Sequence, residues 1–448
     1  MLVFGDAPRR EPPQALLAAL AQALRDTAAM PPGIIRHGAL ADAFVAAGEL
    51  AQGLADAEFE QRGHDAPSPL QDAAMALLLR LAEAIGLSWS SAFTRLPPLP
   101  EPVLPGPLPE TIAPKRAEGF AFYALYPEAY LDAAAKAGLG PQTRVIGLRS
   151  IGAPLASLVA SALGAAPPVT LRPVGHPFGR QLALSPSAAA ALLEGAGDFA
   201  IVDEGPGLSG SSMGAVADFL EDGGVAPGRL HFFPGHAGDP GPMASPRHRA
   251  RWQSAPRHLT SFDALVLEAP DPRHRLPAWV ADLTGLAEAP LRDISGGGWR
   301  ALRYASEAEW PAVNPQQERR KFLLRAGGAS LAAEIHRAGC GCGAAGGHGG
   351  RPRRGRLVAP GGRPPPRLPG RGIPARSPRP GPVPPRSGGP PRAAAALSRL
   401  PRPAFPGRAW HRRPARPALG DGPPEHRRGP GRSRHPCPAP ARARSALP

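Results

Sequence analysis

Hydrophobic residues in the first 95 positions recur every three or four residues, which is the period of an amphipathic helix. The first such series is Leu16, Leu17, Leu20, Ala21 and Leu24. Residues 67–85 (PSPLQDAAMALLLRLAEAI) repeat the pattern, with Ser68 placed to cap, Pro69 in the first turn and Gln71 at the capping-box position. The pattern predicts a helical N-terminal region over residues 1–95, without visible chemistry of its own.

Residues 96–114 carry a proline every two or three positions, so they predict a stiff linker rather than a helix or central strand. Over residues 115–290 short apolar runs then alternate with helical segments. The predicted strands are Arg144–Leu148, Val169–Val174, Phe199–Val202 and Leu230–Phe233, with Ala264–Leu267 as a further candidate. The predicted helices are residues 154–165, 185–196 and 212–222. This alternation predicts an α/β domain with a mostly parallel sheet and helices on both faces.

A C-terminal domain begins within residues 291–339, where residues 315–339 retain the texture of a folded chain. Gly296, Gly297 and Gly298, followed by Lys321 in a short strand, faintly resemble the opening of a kinase-like phosphotransferase domain. A tight turn beside an edge strand is the simpler interpretation of this segment.

Residues 340–448 consist mainly of Gly, Pro, Arg and Ala, and this composition predicts disorder. From Arg337 to Pro448 the chain has 24 Arg, no Lys and two acids, Asp421 and Glu425. The formal charge of +16 for the whole chain therefore belongs to this tail, and residues 1–336 carry about −6. Because GC-rich codons read out of frame encode this mixture, we hypothesise a frameshift between codons 328 and 345. Translation of the other two reading frames of the gene tests that hypothesis.

The three cysteines, Cys340, Cys342 and Cys437, all lie beyond residue 339, which excludes a disulfide framework for the front part of the chain. The N-terminus lacks the pattern of a signal peptide, and no uncharged apolar stretch reaches the length of a membrane helix. The sequence therefore predicts a soluble cytoplasmic protein that does not contact a membrane.

Candidate chemistry is concentrated in residues 199–224, FAIVDEGPGLSGSSMGAVADFLEDGG. A strand ends in Asp203 and Glu204, and a glycine-rich turn then leads through serines into a helix. Glycines let consecutive backbone N–H groups converge, and the start of a helix adds unpaired N–H groups and the positive end of its dipole. The turn predicts a site for a phosphate monoester, and the two acids suit the hydroxyls of an attached ribose.

This loop resembles the PRPP loop of the type I phosphoribosyltransferases, in which two adjacent acids precede a hydroxyl- and glycine-rich turn into a helix (PRPP is 5-phosphoribosyl 1-pyrophosphate). The resemblance implies ribose contacts from Asp203 and Glu204. It implies phosphate contacts from the turn, namely Gly207, Ser209, Gly210, Ser211 and Ser212. Between the acids and Ser209 the segment is one residue longer than the family pattern.

Two further segments fit the order of motifs in that family. Arg149, Ser150 and Gly152 follow the first predicted strand, where the resemblance implies a pyrophosphate-binding loop. Residues 171–185 carry His176 and Arg180 where the family has a mobile loop that closes over pyrophosphate, so these two are the catalytic candidates. An ordinary surface hairpin is the alternative for this segment.

The resemblance implies an enzyme of the glycosyltransferase class that binds PRPP or a ribose 5-phosphate group with Mg²⁺ and transfers the phosphoribosyl group to an unidentified acceptor. It also allows a homodimer. A non-catalytic ribose-phosphate sensor is one alternative, because the chain has no lysine between Lys136 and Lys321. Nucleic-acid binding through the basic tail is another, but the tail lacks interleaved aromatic residues. His236 and Asp239 follow the last predicted strand and could contact an acceptor.

Overall fold

The computed structural model of the chain describes residues 9–116, 118–121, 125–195, 197–314, 320–334 and 357–358, all within one compact unit, Met1–Pro366. Its helices are α1 (Pro13–Ala29), α2 (Ile34–Arg62), α3 (Pro69–Ser90), α4 (Glu118–Ala121), α5 (Pro127–Ala135), α6 (Gly152–Leu163), α7 (Pro186–Leu193), α8 (Ser211–Asp222), α9 (Pro246–Ser254), α10 (Leu276–Thr284) and α11 (Arg300–Arg303). Its strands are β1 (Arg144–Leu148), β2 (Val169–Leu171), β3 (Pro173–His176), β4 (Gly179–Leu182), β5 (Phe199–Val202), β6 (Leu230–Phe233), β7 (Arg292–Asp293), β8 (Lys321–Ala326), β9 (Ala329–Glu334) and β10 (Leu357–Val358).

The N-terminal region is helical, as its periodicity predicts. Helix α2 ends at Gly63, whose φ of 75° is the left-handed conformation that closes many helices. Helix α3 begins at the predicted cap, where the Ser68 hydroxyl accepts a hydrogen bond from the Gln71 backbone N–H at 3.3 Å. The Gln71 amide does not return the bond of a capping box. It donates instead to Glu58 at 2.7 Å, which ties α3 to α2.

The main sheet has the strand order β2-β1-β5-β6, and every neighbouring pair is parallel. Because side chains alternate along a strand, each strand contributes to two separate cores. Val145, Ala200, Val202 and Phe233 belong to the cluster on the side of α2, α3, α5 and α6. On the other face, Ile146, Leu148, Ile201 and Phe232 pack with residues of α8 and with Trp252 of α9. The predicted α/β class, with a parallel sheet covered on both faces, is confirmed.

Two predicted strands take a different form. The strand predicted at Val169–Val174 stops at Leu171, because Arg172 turns its side chain and backbone N–H toward two aspartates of the N-terminal region. The chain then leaves the sheet as the antiparallel β3–β4 hairpin, residues 173–182, in agreement with the alternative interpretation of that segment. Residues 264–267 are not a strand, since Asp263–Leu267 forms one turn of π-helix.

The N-terminal helices and the α/β region share a single hydrophobic cluster. Phe44 of α2 and Leu81 of α3 are fully buried in it, and so are Leu155 and Val159 of α6. Helix α6 follows β1 directly and also packs against that strand, so the same helix contacts the sheet on one side and the N-terminal helices on the other. The N-terminal helices and the α/β region therefore share one hydrophobic core.

The proline-rich segment 96–114 contains no helix, in agreement with its composition. It is anchored to the start of the described chain, where Ile112 and Glu11 exchange backbone hydrogen bonds of 2.9 and 3.0 Å. Ile112 is itself buried in the shared cluster, since only 1% of its surface is exposed. The segment thus connects the two regions along the surface of their common core.

Helix α3 is the one described helix whose length and hydropathy alone would let it cross a membrane. Half of its most apolar window is buried inside the protein, and the helix packs against α2, α5 and α6. The apolar side chains of α3 thus pack against other helices of this chain.

Strands β7, β8, β9 and β10 form a second, antiparallel sheet in the order β10-β9-β8-β7. Lys321 opens β8, as its apolar neighbours predict, and its backbone exchanges hydrogen bonds with the Ser295 hydroxyl beside the glycine turn. The tight glycine turn of the simpler interpretation is present, but β8 is an inner strand of this sheet, between β9 and β7, rather than an edge strand. The predicted disordered tail, residues 340–448, lies outside the described residues apart from β10.

We expect the shared core to unfold as one unit. Leu81→Ala should destabilise the whole chain by about 2–5 kcal/mol, because it leaves a cavity between the N-terminal helices and the α/β region. Chemical denaturation followed by circular dichroism measures the change, and Leu286→Ala, at a position that is 83% exposed, is the control with an expected change below about 0.5 kcal/mol. Two separate transitions, only one of them shifted, would contradict the shared core.

Candidate functional site

The candidate residues meet at the carboxyl edge of the main sheet. Because β2, β1, β5 and β6 are parallel, the residues that follow them lie side by side along this edge. These residues are Arg172, Arg149, Asp203 and Pro234, in the order of the strands. Gly152 brings two of the loops together, since a Cβ on it would lie 2.7 Å from the Val202 carbonyl oxygen. The loop after β1 therefore lies against the end of β5, where the two acids begin.

Hydrogen bonds to their backbone groups position Asp203 and Glu204. The Tyr130 hydroxyl of α5 donates to the Asp203 carbonyl oxygen at 2.9 Å, and the Gly235 N–H donates to the Glu204 carbonyl oxygen at 2.9 Å. The Asp203 carboxylate accepts the Glu204 backbone N–H at 2.9 Å. The Glu204 carboxylate lies against Gly119 of α4, where any side chain would collide with it. Neighbours from α4, from α5 and from the loop after β6 thus position the acid pair.

The two acids raise the free energy of each other's charged form. Burial raises the pKa of Asp203 to about 8, and the negative charge of Glu204 adds to the effect. The positive charge of Arg172 and the hydrogen bond from the Glu204 N–H act in the opposite direction but are smaller. Burial and the same two acids raise the pKa of the Tyr130 hydroxyl well above its usual range. The site therefore favours a ligand that brings hydrogen-bond donors or a cation to Asp203.

The turn from the acids to helix α8, residues 205–212, is named the serine turn. Gly207 and Gly210 adopt positive φ angles of 57° and 64°, a conformation that favours glycine, and Gly210 precedes the first residue of α8. The N-cap residue of α8 is Gly210, which has no side chain to cap the helix. The Ser209 hydroxyl lies 2.8 Å from the Ser211 hydroxyl and accepts the Ser211 N–H at 3.2 Å. The glycines and serines of this turn thus converge on the start of a helix.

The β3–β4 hairpin reaches the serine turn. The carbonyl oxygen of Pro177, at the hairpin tip, accepts hydrogen bonds from the hydroxyls of Ser209 at 3.2 Å and Ser211 at 3.0 Å. Both serines are buried, with exposed fractions of 6% and 1%. Strand β4 also packs along α8. The segment predicted to close over the ligand therefore already contacts the predicted phosphate-binding hydroxyls.

His176 and Arg180, the catalytic candidates, lie on this hairpin. The Arg180 guanidinium donates to the Gly175 carbonyl oxygen at 2.9 Å. The His176 imidazole is exposed, and its Nδ1 accepts the Phe178 N–H at 3.2 Å. Both side chains are thus near the serine turn through the hairpin, and neither hydrogen bond joins them to the acid pair.

Arg149, the candidate for pyrophosphate, has a guanidinium that is fully buried in protein contacts. It donates to Asp56 at 2.9 Å, to Asp65 at 2.5 Å and to the backbone and hydroxyl oxygens of Thr170. The peptide bond between Arg149 and Ser150 is cis. The Arg149 side chain therefore connects β1 to the N-terminal helices, while the half-buried Ser150 and the backbone of Gly152 remain at the edge of the sheet.

Arg172 supplies the positive charge beside this loop. Its guanidinium forms a two-pronged ion pair with Asp56 and donates to the Arg149 carbonyl oxygen at 2.7 Å. It also lies 3.5 Å from the Ser150 hydroxyl, and its side chain keeps 19% of its surface exposed. Its charge acts on Asp203. Arg172 therefore places a positive charge at the predicted pyrophosphate loop, and this charge lowers the pKa of Asp203 slightly.

Sequence reasoning missed Arg172 as a site residue, although its position directly after a short apolar strand was a usable signal. It also missed Asp56, Asp65 and Tyr130, which lie far away in sequence and have no motif. His236 lies against Gly205, because a Cβ on that glycine would collide with the imidazole. Asp239 is exposed in the same loop. Among the described residues, no group of three or more His, Cys, Asp or Glu side chains is placed to hold a metal ion.

No protein-family model, curated protein or solved structure matches this chain.

The raised pKa of Asp203 predicts how stability depends on pH. A folded-state pKa of about 8, above the unfolded value of about 3.9, means that folding stability falls as pH rises between these values. Asp203→Asn removes this loss of stability. We therefore expect the free energy of unfolding of the variant to exceed that of wild type at about pH 8.5 and to approach it at about pH 4.5. Each unit of retained pKa difference corresponds to about 1.4 kcal/mol. Urea denaturation at both pH values measures the effect, with the exposed Asp239→Asn as control. A difference in the free energy of unfolding between Asp203→Asn and wild type that does not change with pH would contradict the raised pKa of Asp203.

Proposed function

We propose that the carboxyl edge of the sheet binds the ribose 5-phosphate part of PRPP and that the protein is a phosphoribosyltransferase-like enzyme. One observation carries the proposal: a strand of a parallel sheet is followed by two adjacent acids and then by the serine turn, which leads into the start of α8. The acids suit ribose hydroxyls, and the turn suits a phosphate. This combination is also the one that resembles the type I phosphoribosyltransferases.

In this proposal the 5-phosphate binds at residues 209–212. Ser209, Ser211 and Ser212 would supply hydroxyl donors, and the backbone of Gly210 would allow their N–H groups to converge. The first turn of α8 adds the positive end of its dipole, and its N-cap residue, Gly210, has no side chain to cap it. A dianionic phosphate would accept hydrogen bonds at this helix start, where the Ser209 hydroxyl accepts the Ser211 N–H in the ligand-free protein.

The ribose would then lie over Asp203 and Glu204, with its two hydroxyls donating to the carboxylates. Hydrogen bonds to a charged acceptor are worth roughly 1.5–3 kcal/mol each, and donors on Asp203 would stabilise its charged form against the neighbouring Glu204. Mg²⁺ fits the same electrostatic situation, because a cation relieves the repulsion that raises the pKa of Asp203. The ion would be held mainly by pyrophosphate oxygens, with these two acids nearby.

Pyrophosphate would lie along Ser150, Gly152 and Arg172. During transfer the bond between ribose C1 and the pyrophosphate oxygen breaks and C1 bonds to the acceptor, whose proton passes to solvent, while pyrophosphate leaves. Positive charge develops on the ribose ring and negative charge on the leaving group, so the residues act by positioning and by electrostatic stabilisation. The partly exposed guanidinium of Arg172 is better placed for this than the buried one of Arg149.

Removing both carboxylates should abolish ligand binding. Asp203→Asn combined with Glu204→Gln is expected to weaken binding of ribose 5-phosphate at least about a hundredfold, because two charge-assisted hydrogen bonds are lost. Isothermal titration of the full chain measures the affinity. The matched control is Glu60→Gln with Asp72→Asn, which removes the same charge from exposed positions on α2 and α3. Equal affinity in the acid-pair variant and in wild type would eliminate the ribose-phosphate site.

A non-catalytic sensor of ribose phosphates is the second candidate function, and the burial of the Arg149 guanidinium favours it. Arg180→Ala separates the two functions. In an enzyme whose hairpin cation acts on the leaving group, the substitution should lower kcat at least about tenfold without weakening the affinity for PRPP. Release of pyrophosphate from PRPP with Mg²⁺ and water as acceptor measures turnover. Binding without any release by wild type would favour the sensor.

A further inference from the structure

The hairpin tip and the serine turn make a contact that a ligand-binding function does not require. Ser209 and Ser211 lie on the two sides of Gly210, and their hydroxyls point at one acceptor, the carbonyl oxygen of Pro177. The two hydroxyls are 2.8 Å from each other, so the Pro177 carbonyl oxygen can accept a hydrogen bond from each of them. A phosphate oxygen at the start of α8 would offer these hydroxyls the same kind of partner.

The tip is built so that this carbonyl can reach the turn. Residues 177 and 178 form the turn of the hairpin, between the paired residues His176 and Gly179. Gly175 has a φ of 87°, and its carbonyl oxygen is held by Arg180 at 2.9 Å. Strand β4 packs along α8, which fixes the hairpin over the end of that helix. Phe178, next to the contact, remains 38% exposed.

Resting on the proposed function, we propose that Pro177 is an internal competitor of the ligand phosphate. Its carbonyl oxygen holds the Ser209 and Ser211 hydroxyls in the ligand-free protein, and phosphate binding displaces it and releases the hairpin. Only the fraction of molecules with a released hairpin then binds, and the measured affinity is lowered by that fraction. A lid closes over its ligand after the ligand has bound. This hairpin instead contacts the serine turn in the ligand-free protein and moves away when the phosphate binds.

Ser212 gives a matched control within the same turn. It is half-buried at the first turn of α8, and no hydrogen bond engages its hydroxyl in the part of the chain that the structure describes. Ser212→Ala should therefore weaken ligand binding without loosening the hairpin. Ser211→Ala should loosen the hairpin, because it removes one of the two donors to the Pro177 carbonyl.

Hydrogen exchange of the full chain tests the direction of the movement. Backbone amides of residues 174–181 should exchange faster when saturating ribose 5-phosphate is added to wild type. Without ligand, they should exchange faster in Ser211→Ala than in wild type and at an equal rate in Ser212→Ala. Slower exchange on ligand addition would overturn the proposal, and so would equal rates in wild type and Ser211→Ala.

A shortened hairpin tests the competition directly. Replacing residues 175–180 by Asn-Gly keeps the Val174–Gln181 pair and joins the strands by a two-residue turn. This variant should bind ribose 5-phosphate about tenfold tighter than wild type, by isothermal titration, with its fold checked by circular dichroism. Unchanged or weaker binding overturns the competition but leaves the proposed site intact. Absence of binding in both wild type and the shortened variant removes the proposed function as well.

Discussion

The fold of the candidate site depends on one buried ionic network. Arg149 and Arg172 extend from the ends of two neighbouring strands and meet Asp56 of α2 and Asp65 of the α2–α3 loop. Burial raises the pKa of both aspartates, but the arginines outweigh it at Asp56 and hold its pKa below its usual range. At Asp65 burial dominates and the pKa is raised. Removing one partner would leave a buried charge uncompensated, which typically costs about 3–5 kcal/mol.

This network makes the N-terminal helices part of the sheet edge. It pairs the buried guanidinium of Arg149 with two aspartates, and it holds the guanidinium of Arg172 beside Arg149 and Ser150 of the predicted pyrophosphate loop. The acid pair itself has the opposite character. Asp203 and Glu204 follow one another directly, and Asp203 is held near its neutral form in the ligand-free protein. At one side of the edge the charges are paired within the protein, and at the other side a donor or a cation beside Asp203 would stabilise its charged form.

Short-range sequence patterns predicted the elements whose formation depends on residues close together in the sequence. The βαβ alternation predicted β1, β5 and β6, and the glycines and serines of residues 205–212 predicted a turn into a helix. Contacts distant in sequence were not predictable in this way. Nothing in residues 1–95 marks Asp56 or Asp65 as partners of Arg149, and burial of a guanidinium cannot be inferred from a strand–loop–helix pattern. The break between β2 and β3 at Arg172 has the same cause, because the aspartates that Arg172 contacts, Asp56 and Asp65, are distant in sequence.

The hairpin illustrates a further limit. Its sequence fits both a surface hairpin and a closing loop, and its contact with the serine turn requires two segments about 30 residues apart to be placed together. The carbonyl that makes this contact belongs to the backbone of Pro177, so no side-chain pattern could have indicated it.

Isothermal titration of the full wild-type chain with PRPP, in the presence and absence of Mg²⁺, measures whether the sheet edge binds a ribose phosphate. We expect saturable binding at one site per chain, tighter with Mg²⁺, because the ion neutralises pyrophosphate beside Asp203. We also expect that ribose 5-phosphate competes for that site and that ribose alone does not. Absence of PRPP binding under both conditions would contradict the assignment of the sheet edge as a ribose-phosphate site.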